Sequence, residues 1–212
     1  MTAESSVAGS AAGGDTRPSI AADWDTIQHV FADLAPQQRW VCWRYEERRS
    51  RPTKVPIQPG GAYARVDDPG TWSSLARCMI YAKATPGVGV GIVFNGDGLV
   101  GIDLDTCLDP DTGKPDADAQ SIVSDLASYA ERTPSGGGLH VICHGELPGG
   151  ATGVRRGNIE VYATGRFFTV TGEHVASTPD EITEAQEPLE RLWTKLVYRS
   201  TDLRHRSWLT RP

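Results

Sequence analysis

The chain has 212 residues, 39% hydrophobic and 23% charged, with a formal net charge of −6. That length suits one domain with a real core, and the acidic balance argues against a protein whose main task is coating nucleic acid. No apolar run is long enough to span a membrane and the N-terminus lacks the basic and apolar segments of a signal peptide, so a cytoplasmic, membrane-free protein is expected.

Residues 1–19 are rich in Ala, Gly, Ser and Thr and read as a disordered tail. A domain over 20–198 follows, and the basic stretch 199–212 reads as a tail or the start of a linker. Within 22–34, Trp24, Ile27, Val30, Phe31 and Leu34 recur at helical spacing behind Asp23, a candidate N-cap. Residues 39–45 are β-branched and aromatic, hence a strand. A charged turn over 46–54 leads to a second strand at Lys54–Ile57, which Pro56 confines to a sheet edge or to the strand's end. Arg44, Arg48, Arg49, Arg51 and Lys54 make the densest basic cluster, either a solvated hairpin tip or a surface that contacts template phosphates.

A helix is expected over 72–84, packing Trp72, Leu75, Met79 and Ile80. Val88–Phe94 reads as a strand, and Asn95-Gly96-Asp97-Gly98 as the turn of a hairpin into the next one. A polar loop at 106–118 lacks the ligand order of an EF-hand. A helix at 119–130 carries Ile122, Val123, Leu126 and Tyr129 on one side. Leu139–Gly145 is a strand, 149–157 a loop with Arg155 and Arg156, and 158–162 a strand with Glu160 and Tyr162 on one face. Gly165-Arg166 then turns into a partner strand, 167–171, and a last helix covers 181–198. Cys42, Cys78, Cys107 and Cys143 are far apart, so reduced buried thiols are expected rather than structural zinc.

The stretch 97–105, Asp-Gly-Leu-Val-Gly-Ile-Asp-Leu-Asp, is a turn and then a strand. Alternation puts Val100, Ile102 and Leu104 on one face, Gly101, Asp103 and Asp105 on the other, with the two Asp Cα atoms about 6–7 Å apart. Alone, Asp-x-Asp is better explained by a strand end running into an acidic surface turn. With Glu160, however, it makes a carboxylate triad able to hold two hard divalent ions, Mg²⁺ or Mn²⁺. The three glycines 136–138 let backbone amides approach an anion; with Ser135, His140 and Arg166 they would hold a triphosphate.

Three motifs in order carry a resemblance: Val-Gly-Ile-Asp103-Leu-Asp105, then Thr-Pro-Ser135-Gly-Gly-Gly-Leu-His140, then Ile-Glu160-Val-Tyr-Ala-Thr-Gly-Arg166-Phe-Phe-Thr-Val. Together with Trp40-Val-Cys-Trp43-Arg44-Tyr and Thr53-Lys54-Val-Pro-Ile, they resemble the archaeo-eukaryotic primase superfamily. The nearest type is the primase-polymerase domain of phages and integrated plasmids. The resemblance covers roughly residues 38–175 and implies an α+β catalytic core, a bent, mostly antiparallel sheet flanked by helices with an RRM-like element. It implies metal binding and catalysis by Asp103, Asp105 and Glu160, and nucleotide contacts by Ser135, Gly136, Gly138, His140 and Arg166. Single-stranded DNA template, primer and dNTP or NTP would be the partners, with a helicase domain or partner as in some relatives. The expected function is template-directed nucleotidyl transfer. A metal-dependent nuclease or phosphodiesterase, and a non-catalytic single-strand-binding module, remain the rivals.

Overall fold

Two antiparallel ladders meet at a corner built from glycine. The structure, a computed structural model, describes residues 22–206, with side chains to Tyr198. The expected tail over 1–19 and residues 207–212 lie outside the described residues. The fold is α+β. One sheet has the order β2-β1-β3-β9, from β1 (Trp40–Arg48), β2 (Arg51–Ile57), β3 (Val88–Asn95) and β9 (Thr164–Val170). The other has the order β5-β6-β4-β8-β7, from β4 (Leu99–Leu104), β5 (Ala130–Arg132), β6 (Leu139–His144), β7 (Gly153–Arg156) and β8 (Ile159–Tyr162). The helices are α1 (Trp24–Val30), α2 (Leu75–Ala84), α3 (Ala117–Leu126) and α4 (Gln186–Arg206). Among the described residues no helix is long and apolar enough to cross a membrane.

Local chemistry explains the element ends. Asp23 caps α1, accepting from the amides of Asp25 and Thr26. The β1–β2 turn is only Arg49-Ser50, both in the left-handed region (φ 52° and 58°), a two-residue turn whose twist matches its strands. The charged turn expected over 46–54 is therefore mostly strand. Pro56 sits on β2, the edge of its sheet, where a missing donor costs no ladder bond.

Several expectations are corrected. The helix expected from Trp72 starts at Leu75, because Ser73 is bridged in extended form to Trp40. Ile80 is 71% exposed; Leu75 and Met79 face the core as expected, joined by Cys78 and Ala82. The third and fourth strands form no hairpin: β3 lies between β1 and β9, while β4 lies between β6 and β8. Gly96 (φ 84°) and Gly98 (φ 89°) carry the chain from one sheet to the other. Gly165-Arg166 is likewise no turn but part of β9, which pairs with β3 rather than β8. The expected loop 149–157 contains β7. Helix α3 ends at Leu126, so Tyr129 leads into β5 instead of lying on a helix. The last helix starts at Gln186, not 181, and its backbone continues through the basic segment to Arg206.

One face of the five-stranded sheet is apolar. Val100, Ile102, Leu104, Val141 and Val161 pack against Val123, Leu126, Leu189 and Leu192 of α3 and α4. Each such buried side chain contributes about 1.5–3 kcal/mol. The opposite face is crossed by β9. The Phe168 ring stacks on His140 of β6 at 4.6 Å, and the amides of Thr171 and Gly172, just past β9, bond Glu131 of β5. Gly101 is the contact that permits this crossing, since a Cβ there would strike the rings of Phe94 and Phe168. All four cysteines are free and buried, and burial pushes the Cys143 thiol up to about 12.

Candidate active site

Strand register lines up five polar residues across the five-stranded sheet. His140 is the Cα partner of both Glu131 and Asp103, Asp103 of Glu160, and Glu160 of Arg155. Directly opposed residues on antiparallel strands share a face. The row therefore runs Glu131, His140, Asp103, Glu160, Arg155 over the face that β9 crosses. Asp105 follows Asp103 on the same face, just past the end of β4, and its amide bonds the Asn158 carbonyl at 2.8 Å.

His140 is buried between two carboxylates. Its Nε2 is 3.8 Å from Asp103 Oδ1, and its Nδ1 is 3.6 Å from Glu131 Oε1. Both are longer than hydrogen bonds, and Asp103 Oδ1 and His140 Nδ1 are buried with no hydrogen-bond partner. Glu131 is fully buried and accepts from Thr171 N, Gly172 N and the Tyr129 hydroxyl. Glu160 is held at 3.0 Å by Arg155 and at 2.7 Å by the Tyr162 hydroxyl. Arg166 lies over the Tyr162 ring and donates to its hydroxyl at 3.3 Å.

Burial pushes the Asp103 carboxyl above its usual range; His140 and Lys54 oppose this, while Asp105 and Glu160 add to it. Burial pushes the Lys54 ammonium down, opposed by the charges of Asp103, Asp105 and Glu131. The Lys54 charge is thus felt at this row of carboxylates. Register sets Lys54 opposite Tyr45, on the other side of the hairpin from Arg44 and its partner Val55. Arg44 and Arg48 both bond Glu46, and Arg49 and Arg51 are exposed at the tip. The five-residue basic cluster read from sequence is therefore two groups.

The Ser135–Gly138 segment is the β5–β6 turn. Gly136 adopts φ 75° and Ser135 pairs with Thr133 Oγ1. Gly138 abuts the end of β4, where a Cβ would meet the Leu104 carbonyl at 2.6 Å. The turn is thereby fixed beside Asp105, with open space outside Gly136 and Gly137.

The donor set at Asp103, whose buried Oδ1 has no hydrogen-bond partner, is of the hard carboxylate kind that suits Mg²⁺ or Mn²⁺. Among the described residues no group of three His, Cys, Asp or Glu side chains is already arranged to hold a metal. Arg155 and Tyr162 hold Glu160. Sequence reading missed Glu131 and Arg155, and grouped Lys54 with the template-contacting arginines. Glu131 stood at an apparent helix end, Lys54 amid arginines and Arg155 in an apparent loop.

Residues of this chain align over 157 positions, at 35% identity, with a protein named DNA primase-polymerase from Nitratiruptor phage NrS-1. The chain is related to a phage primase-polymerase. The match covers 71% of this chain but only 21% of that protein. No family model matches the chain.

Proposed function

We propose that this domain is a template-directed nucleotidyltransferase, a DNA primase-polymerase that joins nucleoside triphosphates on a single-stranded template. The observation that carries the reading is the row of Glu131, His140, Asp103, Glu160 and Arg155, three carboxylates and two bases in register on one sheet face. The named relative supports the same class.

In this reading Asp103, Asp105 and Glu160 hold two Mg²⁺ or Mn²⁺ ions, which supply charge neutralisation at the attacking and leaving oxygens of phosphoryl transfer. His140 and Arg166 bind triphosphate oxygens, one from a buried ring, the other with a planar fork of donors. Amides of the Ser135–Gly138 turn orient the same phosphates. Tyr162 stays bonded to Glu160 and keeps that carboxylate over the site.

The test is incubation with single-stranded template, labelled dNTP or NTP and Mg²⁺ or Mn²⁺, with and without primer. Nucleotide-dependent chain growth is expected. Strand cleavage without growth would mean a nuclease, and binding without either would mean a non-catalytic module.

A further inference from the structure

A groove of about 500 Å³ lies beside the carboxylate row, between β2, the segment 63–67 and the start of β9. Val55 and Ala64, both buried, form its floor, and Phe167 one wall. Tyr63 stands at its rim, 58% exposed, with the Arg48 guanidinium 5.8 Å from its ring centroid. Three guanidinium groups line the groove, Arg48, Arg65 and Arg166; Glu46, which also accepts from the Tyr63 hydroxyl, holds Arg48 at 3.3 Å, and Asp67 holds Arg65 at 2.9 Å. This is a concentration of positive charge on a chain whose net charge is −6.

We propose that this groove seats one base of a single-stranded nucleic acid stacked on Tyr63, with the flanking phosphates on Arg48 and Arg65. An exposed aromatic face beside several cations, over an apolar floor, is the combination that binds single strands without reading sequence. A duplex hides its base faces and cannot use Tyr63. The groove is joined to the row by two hydrogen bonds, Arg166 to Tyr162 and Tyr162 to Glu160. A strand leaving it past Arg166 therefore runs toward Asp103. The inference rests on the polymerase reading for the strand's purpose, but strand binding itself does not require catalysis.

The test is fluorescence anisotropy with a labelled oligodeoxynucleotide carrying 2-aminopurine, in chelator and without nucleotide, against a duplex of the same sequence. Tyr63→Ala should weaken single-strand binding about tenfold, the loss of one stacked base, and abolish 2-aminopurine quenching. Tyr63→Trp should bind at least as well as the parent. Arg65→Ala should lower the log–log salt slope by about 0.7. Thermal melts should stay parental, since Tyr63 and Arg65 are exposed. Parental affinity in Tyr63→Ala, or an equal loss toward duplex, overturns the groove. A protein that binds through Tyr63 yet extends no primer leaves this inference standing and removes the polymerase reading. Extension by Tyr63→Ala at the parental template KM removes the groove alone.

Discussion

Arg39 grips Asp97, 58 positions further along the chain, at 2.6 Å and 3.2 Å, while its Nε and Nη2 also bond the Val93 carbonyl. The guanidinium is 2% exposed and burial pushes its pKa down, with Asp97 opposing. This pair closes the corner where the chain passes from β3 into β4, and so aims the Asp103 strand. Removing one partner strands a buried charge. Asp97→Ala should cost about 2–3 kcal/mol, discounted because Asp97 itself is partly exposed to screening solvent. Urea titrations of Asp97→Ala, Arg39→Met and the double variant would show it. A coupling energy near zero would mean that the corner holds without the pair.

Glu131 makes a second prediction. It carries the amides of Thr171 and Gly172 and the Tyr129 hydroxyl, tying the end of β9 to β5 under His140. Glu131→Gln keeps the shape but turns one acceptor into a donor facing donors. The expected loss is about 1–3 kcal/mol of stability, the cost of leaving buried donors unmet. Glu131→Ala should lose more, by adding a cavity. Unchanged melting of both variants would remove Glu131 as the anchor of β9.

The basic cluster gives a third. Arg48, Arg49 and Arg51 lie at or near the hairpin tip, whereas Lys54 feels the carboxylates of the site. If the tip contacts template, the triple variant of these arginines to Ala should lower the single-strand salt slope by about two units, near 0.7 per phosphate. Lys54→Ala should leave that slope alone and lower the extension rate. Equal slopes for the triple variant and the parent would make the tip a solvated turn.

How much of this was legible depends on which interactions fix each feature. Alternation along 99–105 assigns Val100, Ile102 and Leu104 to one face and Asp103 to the other, because a strand's period is local and strict. The Asp23 cap and the edge position of Pro56 are equally local. Strand partners were not legible. A turn of Asn-Gly-Asp-Gly looks like a hairpin, and only packing of Phe94 and Phe168 onto Gly101 shows that the chain changes sheets there. Glu131 was invisible for a similar reason: the amides it holds are 40 and 41 positions away. Register sets His140 and Glu160 on either side of Asp103, while the separation of Lys54 from the arginines needed the register of β1 with β2.

The last prediction is that Asp103→Asn stabilises the metal-free protein and stops catalysis. Burial raises the Asp103 pKa in the folded state, with Asp105 and Glu160 adding and His140 and Lys54 opposing. A carboxyl raised on folding contributes stability that is fully present below its unfolded value near 3.8 and is lost as pH rises through the folded value. At pH 7, well above the unfolded value, the raised pKa is therefore a net cost, and Asn removes it while keeping the shape. In chelator, Asp103→Asn should melt above the parent at pH 7, and the difference should shrink as pH falls toward 3.8. Added Mn²⁺ should raise the parent's melting temperature by mass action and the variant's less. Primer extension should fall by orders of magnitude, since charge neutralisation at the reacting oxygens is worth several kcal/mol. A variant that melts below the parent at pH 7 would mean that His140 and Lys54 outweigh the burial of Asp103. One that extends primers at the parental rate would remove Asp103 from the chemistry, and the polymerase reading with it.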